Sequence, residues 1–235
     1  MMQMKTSNAL SVDSISAQRK STFARADSLT LHEKRELLSL LNSSYPDLRM
    51  NRIFEAYPCT KQLYVFRLWI DDVLIASRQM LVTNSFGNAP MWAEEMAYAL
   101  SIKRFAIGSR AIVHADFRNR GLGRELVRWV NHQTYTRHGL DTIFGSSTSI
   151  AAIALYLRLG ARLWNHDINK LHLRDAITLH EAVRGKLPSN NHRERHLRMR
   201  YPLHYVYHRH AVNSAWDNYL WSPDLLNTAE TRMTA

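Results

Sequence analysis

Residues 116–130 read DFRNRGLGRELVRWV, with Arg118, Arg120 and Arg124 set around Gly121-Leu122-Gly123 where an amphipathic stretch begins. A helix start leaves backbone N–H groups without intrahelical partners and carries about half a positive charge. Glycine there, lacking Cβ, lets an anion reach the amides, and arginine forks beside it add charge-assisted hydrogen bonds. Spacing narrows the ligand. A P-loop needs four residues between its glycines and then Lys-Ser/Thr. The dinucleotide fingerprint needs a third glycine, where this chain has Leu126. The turn therefore reads as a diphosphate grip of another kind, with the donors of residues 119–124 converging on the anion.

A second group of residues is capable of chemistry. His192/His196 and His204/His208 are each four apart, a spacing that puts two metal ligands on one helix face. No HExxH-type carboxylate accompanies them, so they read as solvated or phosphate-facing histidines, and no metal is expected. Cys59 is the only cysteine, which excludes an internal disulfide and a Cys-rich zinc site.

Regular elements must hold these residues in place. Thr30 followed by Glu33 is a capping box that predicts a helix over 31–42. Two β-rich runs, 63–70 and 74–82, are separated by Asp71-Asp72 and predict a hairpin. Residues 91–100 fit either a short helix or an interrupted strand, and β character resumes through Ala111, Ile112 and Val113. From Leu122 the apolar residues recur at helical spacing until Arg137, His138 and Gly139 supply a basic last turn and a stop. LDTIFGSS reads as a buried strand, SIAAIALYLRLGA as a helix closed by Gly160, and RLW and NKLHLR as two closing strands. Close alternation of strand and helix predicts an α/β unit with parallel strands and helices on its faces. Past Arg174, DAITLHEAVRGKL is helical, 188–191 is a breaker, and HRERHLRMRYPLHYVYHRH is dense in Arg and His with interleaved Tyr.

With 235 residues, 46% hydrophobic and 22% charged, the chain is long and apolar enough for one sizeable core plus additions. A formal charge of +11 predicts an anionic partner: nucleic acid, a membrane surface or a polyphosphate. No window approaches the roughly 18 apolar residues of a membrane span. The first residues lack the apolar core of a secretory signal, so a soluble, cytoplasmic protein with a flexible leader over 1–28 is expected.

Arg118-x-x-Gly121-x-Gly123, at a strand end and a helix start, resembles the signature of the GCN5-related N-acetyltransferase (GNAT) superfamily. AIVHADFRNRGLGRELV resembles the family's fourth strand and pyrophosphate loop. SIAAIALYLRLGA resembles its next helix, where the usual pattern is Asn-x-x-Ala-x-x-x-Tyr and then x-x-x-Gly-Phe. The resemblance implies an α/β fold with a mixed twisted sheet flanked by helices, occupying 29–175 and followed by a basic, aromatic-rich extension over 176–235. It also implies acetyl-CoA, or a longer acyl-CoA, as co-substrate.

Carried over position by position, main-chain groups of Ala111 and Val113 would hold the acyl carbonyl and pantetheine arm, where the family's strands splay. Arg118, Asn119, Arg120, Gly121, Leu122, Gly123 and Arg124 would cradle the pyrophosphate, and Tyr156 would protonate the departing thiolate. Ser149 stands where the family has asparagine and Ala161 where it has an aromatic, which leaves room for a longer acyl chain. Positions where relatives place a carboxylate hold Ile107 and Phe144 here. Among Glu94, Glu95, His114 and Asp116, Glu95 is the choice for general base.

The reading is an N-acyltransferase acting on an amine acceptor in a ternary complex. The alternatives are an acyltransferase that docks nucleic acid or another anionic partner through residues 184–210, and a non-catalytic CoA-binding module of the same fold.

Overall fold

The computed structural model describes residues 18–45, 48–54, 62–83, 87–186, 198–210 and 214–221. The expected hairpin is formed by β2 (Leu63–Ile70) and β3 (Val73–Thr83), which pair antiparallel. Asp71 and Asp72 join them with φ of 47° and 62°. Two left-handed residues match the twist of a two-residue hairpin, and aspartate is one of the few non-glycine residues that accept that conformation. On one side β1 (Arg19–Arg25) adds to β2; on the other β3 pairs with β4 (Phe105–Val113).

The chain then crosses over through α3 (Leu122–His138), so β5 (Thr142–Ser149) lies parallel to β4, as a helical crossover requires. The eight-stranded sheet runs β1-β2-β3-β4-β5-β7-β6-β8, with β6 at Arg162–Trp164, β7 at Arg198–His208 and β8 at Leu220–Trp221. The α/β expectation is met, with a mixed rather than a purely parallel sheet.

Helices bury both faces. α1 (Leu31–Asn42) and α2 (Met91–Ala99) place Leu37, Leu41, Ala93 and Met96 against Val65, Phe105, Ile107 and Phe144 on one face. α3, α4 (Ile150–Arg158) and α6 (Leu173–Val183) place Leu126, Val130, Ile153, Leu157 and Leu179 against Phe66, Met80, Ile143 and Leu203 on the other. The ambiguous segment 91–100 is thus a helix, because Ala93, Met96 and Ala97 fall on one buried stripe.

Three expectations are corrected. Residues 19–28, assigned to a flexible leader, are ordered: β1 is an edge strand whose Phe23 stacks on Phe66 at 5.4 Å, followed by a short 3-10 turn over Ala26–Ser28. Its polar, basic composition suits an edge strand rather than a tail. Residues 169–174 are no closing strand but a turn and the start of α6. The strand that completes the sheet is β7, inserted between β5 and β6 and drawn from the basic segment. Its Leu203, Tyr205 and Tyr207 alternate into one core and Val206 into the other, so the region after 175 belongs to the sheet. The breaker at 188–191 and His192 and His196 lie outside the described residues. His204 and His208 sit on a strand rather than a helix, and each is engaged, His204 with Asp167 and His208 Nδ1 with Thr142 Oγ1 at 2.9 Å.

Candidate active site

Parallel pairing between β4 and β5 is confined to three positions, Ala106 with Ile143, Ile107 with Phe144 and Gly108 with Gly145. Beyond that apex β4 stays with β3 (Ile112 with Ser77, Val113 with Ala76) and β5 stays with β7 (Ser146 with His204, Ser147 with Leu203). The two strands part beyond Gly108 and Gly145, and the strand register of β4 continues with β3. A bulge accompanies the parting. The register passes from Gln79–Ser109 to Ser77–Ile112, so Arg110 and Ala111 together oppose Arg78, with Arg110 at φ 46°.

At the mouth of this slot Asn119 and Gly121 both adopt left-handed backbone, with φ of 62° and 80°. Gly121 is the N-cap of α3, and no side chain caps that helix. Alternation of left- and right-handed residues turns successive N–H groups inward, the geometry of an anion-binding nest at a helix start. An added Cβ at Gly121 would meet nothing within 4 Å, so glycine is needed there for its backbone angle. At Gly123 a Cβ would instead touch Leu155 and Val113, at 3.5 and 3.8 Å. That glycine seats α3 against α4 and β4.

The seven residues assigned to the pyrophosphate do not play equal parts. Asn119, Arg120, Gly121 and Arg124 are exposed, whereas the Leu122 side chain is buried in the core. Arg118 turns away from the loop: its Nε donates to the Val113 carbonyl at 3.1 Å and its guanidinium to Ser44 Oγ at 3.3 Å. It clamps the turn to β4 and to the end of α1, leaving Arg120 and Arg124 as the exposed cations beside the nest. Val113, expected along the pantetheine arm, has its carbonyl engaged by that clamp. Ala111 is half-buried in the bulge.

Under the apex, on the α3/α4 face, lies a polar cluster that sequence reasoning missed. A Cβ at Gly108 would collide with the Arg78 guanidinium, and one at Gly145 with the Tyr205 ring and hydroxyl. Arg78 is fully buried. It donates to Asn131 Oδ1 at 3.0 Å and to the Tyr205 hydroxyl at 3.3 Å. Tyr156 packs against Tyr205 with the rings tilted by 35° and their centroids 4.4 Å apart, and Arg78 Cζ lies 5.7 Å from the Tyr156 centroid. Tyr207 donates to the Tyr156 carbonyl at 3.2 Å. Burial pushes the Tyr205 hydroxyl up to about 12 and raises Tyr156 as well, so both keep their protons at neutral pH. Burial opposes the Arg78 charge, and the surrounding tyrosines more than offset it. The available signal was glycine inside two adjacent strands, a mark of close approach by another group.

Tyr156 therefore stands at the apex as one member of a buried Arg–Tyr cluster. Ser149 caps α4, its hydroxyl accepting from the Ala152 amide at 3.3 Å. Glu95 is exposed on α2, on the face of the sheet opposite α4, so the structure does not bring it together with Tyr156. Glu94 accepts from the Gly87 and Ala89 amides and ties that loop to α2. His114 receives the Asp116 amide at 3.4 Å beside the turn. Ile107 and Phe144 are buried and apolar. Ala161 is 2% exposed in the core and donates its amide to the Tyr156 carbonyl at 3.0 Å.

Comparison with known proteins agrees with this geometry. Residues 73–160 match the family model described as "Acetyltransferase (GNAT) domain", a span from β3 to the end of α4 that contains the slot, the nest and Tyr156. Among solved structures, the chain is similar to FeeM, an N-acyl amino acid synthase from uncultured soil microbes, at 13% identity and a TM-score of 0.54, over 83% of this chain and 93% of that one. It is also similar to an acyl-CoA N-acyltransferase from Pseudomonas aeruginosa, at 20% identity and a TM-score of 0.45, over 61% of this chain and 88% of the other. A search of curated protein sequences finds no match. At such identities the structural likeness speaks to the fold alone; the family match is to a GNAT acetyltransferase domain over residues 73–160.

Proposed function

We propose that the protein transfers a short acyl group, acetyl in the first instance, from acyl-CoA directly to an amine held in the same ternary complex. One observation carries the reading: β4 and β5 part beyond Gly108 and Gly145, beside an uncapped helix start flanked by Arg120 and Arg124. The donor set fits a coenzyme A diphosphate, since the nest offers main-chain N–H groups and two exposed guanidinium groups add charge. The pantetheine arm would run beside β4 beyond Gly108, where β5 has diverged from it. The coenzyme supplies an activated thioester, and the protein supplies alignment, which converts a bimolecular encounter into an effectively intramolecular one. Tyr156, held protonated by burial, would give its proton to the sulfur as the carbon–sulfur bond breaks. Arg78 and Tyr205 floor the apex on the α3/α4 face, which argues for a short acyl group.

Calorimetry tests the reading. Coenzyme A and acetyl-CoA should bind the wild-type protein, and Arg120→Glu with Arg124→Glu should weaken both by about tenfold or more. Thiol release should fall in the order acetyl-, butyryl-, octanoyl-CoA. Absence of heat with coenzyme A ends the proposal, and faster turnover of the octanoyl donor ends its short-acyl part.

A second reading concerns the partner. Arg198 and Arg200 are exposed, and Arg200 Cζ lies 5.3 Å from the ring of Tyr201, itself 53% exposed. We propose this described part of 184–210 as a docking face for nucleic acid, with arginine for phosphate and an open ring for base stacking.

A further inference from the structure

We infer that His204, oriented by Asp167, is the general base that takes the proton from the acceptor amine; the inference rests on the acyltransferase reading above. His204 is the cross-strand partner of Ser146, the first β5 residue past the apex glycine. It shares the α1/α2 face with Val206, two residues along β7, and its ring lies 4.5 Å from that of Trp92 on α2. This is also the face of Ile107 and Phe144, so an imidazole stands near the slot on a side where those two strand positions are apolar.

Its orientation is fixed by the sheet. β6 pairs with β7 at Arg162–Val206 and Leu163–Tyr205, and the chain then leaves into α5 (Asn165–Ile168). The next β7 amide is met instead by Asp167, whose Oδ2 accepts from the His204 backbone N–H at 2.8 Å and lies 2.8 Å from His204 Nδ1. An ionised carboxylate only accepts, so Nδ1 carries the hydrogen and Nε2 keeps the basic lone pair. The pair is sheltered, with side chains 14% and 11% exposed. His166 Nδ1 lies 3.9 Å from the other Asp167 oxygen, while the neighbours from α2 and β5 are Trp92 and Ser146.

In the proposed step the acceptor ammonium gives one proton to Nε2, and the freed lone pair attacks the acyl carbon. The carbon–sulfur bond breaks with its electrons on sulfur. The nitrogen loses a second proton as the amide forms, sulfur gains one, and one proton per turnover passes to solvent. Asp167 is a positioning residue. Capping the orphan edge amide is a sufficient structural task for it, and that task does not require a bond to Nδ1.

The experiment compares two probe acceptors in thiol release from acetyl-CoA at neutral pH: n-butylamine, almost wholly protonated, and hydroxylamine, already neutral. His204→Gln should slow butylamine transfer about a hundredfold or more and hydroxylamine transfer only a few fold, with acetyl-CoA affinity by calorimetry unchanged. Asp167→Asn should slow butylamine transfer about tenfold while changing hydroxylamine transfer only a few fold, because an imidazole left unoriented takes the ammonium proton less readily. Equal slowing of both acceptors in step with lowered melting temperatures would overturn the assignment. So would a His204→Gln protein that binds acetyl-CoA and keeps its butylamine rate, which leaves the coenzyme reading standing. Absence of acetyl-CoA binding to the wild type removes both.

Discussion

Burial decides what Tyr156 can do at pH 7. A tyrosine in water loses its proton near pH 10. With its pKa raised above that, the Tyr156 hydroxyl is a donor throughout the neutral range. Tyr156→Phe should lower turnover about a hundredfold while leaving coenzyme A affinity within twofold, as read by steady-state rates beside calorimetry. Turnover within about threefold of wild type would mark the hydroxyl as a packing group. At this scale the sequence was informative in part. The left-handed Gly121 before α3 and the Ser149 cap of α4 were legible from residue type and spacing. Arg78, Tyr205 and His204 were not, because their partners Asn131, Tyr156 and Asp167 lie 53, 49 and 37 positions away along the chain.

The α1 start shows how an element transmits order to the site. Glu33 accepts from the Thr30 amide at 2.8 Å, from its hydroxyl at 2.9 Å and from Arg67 at 2.6 Å. Burial alone would raise the Glu33 carboxyl, but the bonds from Thr30 and Arg67 prevail and hold it at about 2. A folded pKa below the unfolded one gives stability that is full above an ordinary glutamate pKa, about 4.3, and is lost as pH falls towards 2. Glu33→Gln should therefore cost about 2 kcal/mol at pH 7, and the gap to wild type in urea unfolding should close by about pH 2. Ser44, just past the end of α1, receives Arg118, so loosening α1 also loosens the clamp on the nest. The capping box was readable because its two residues are three apart. Arg67, 34 residues away on β2, was not.

At the scale of the molecule, the chain carries a formal charge of +11. Arg120 and Arg124 belong to the nest, while Arg198 and Arg200 border the exposed Tyr201 on β7. If that border docks nucleic acid, affinity for a single-stranded oligonucleotide should fall at least tenfold between 50 and 200 mM salt, through counterion release. Thiol release with a small amine should change little over the same range. A salt-insensitive or undetectable oligonucleotide affinity would remove nucleic acid as the partner. Among the described residues no helix is long and apolar enough to cross a membrane.

What the chain alone determined was local. Hairpin turn, helix caps, glycine stops and the left-handed glycine before α3 each depend on residues within a few positions of one another, where backbone sterics and short-range hydrogen bonds fix the outcome. Only the tertiary structure decided that β7 enters the sheet between β5 and β6, that Arg78 and Tyr205 meet under a pair of glycines, and that Asp167 reaches His204. Those contacts form when burial of two apolar faces brings distant segments together, and the gain that selects them belongs to the assembled sheet rather than to any segment of it.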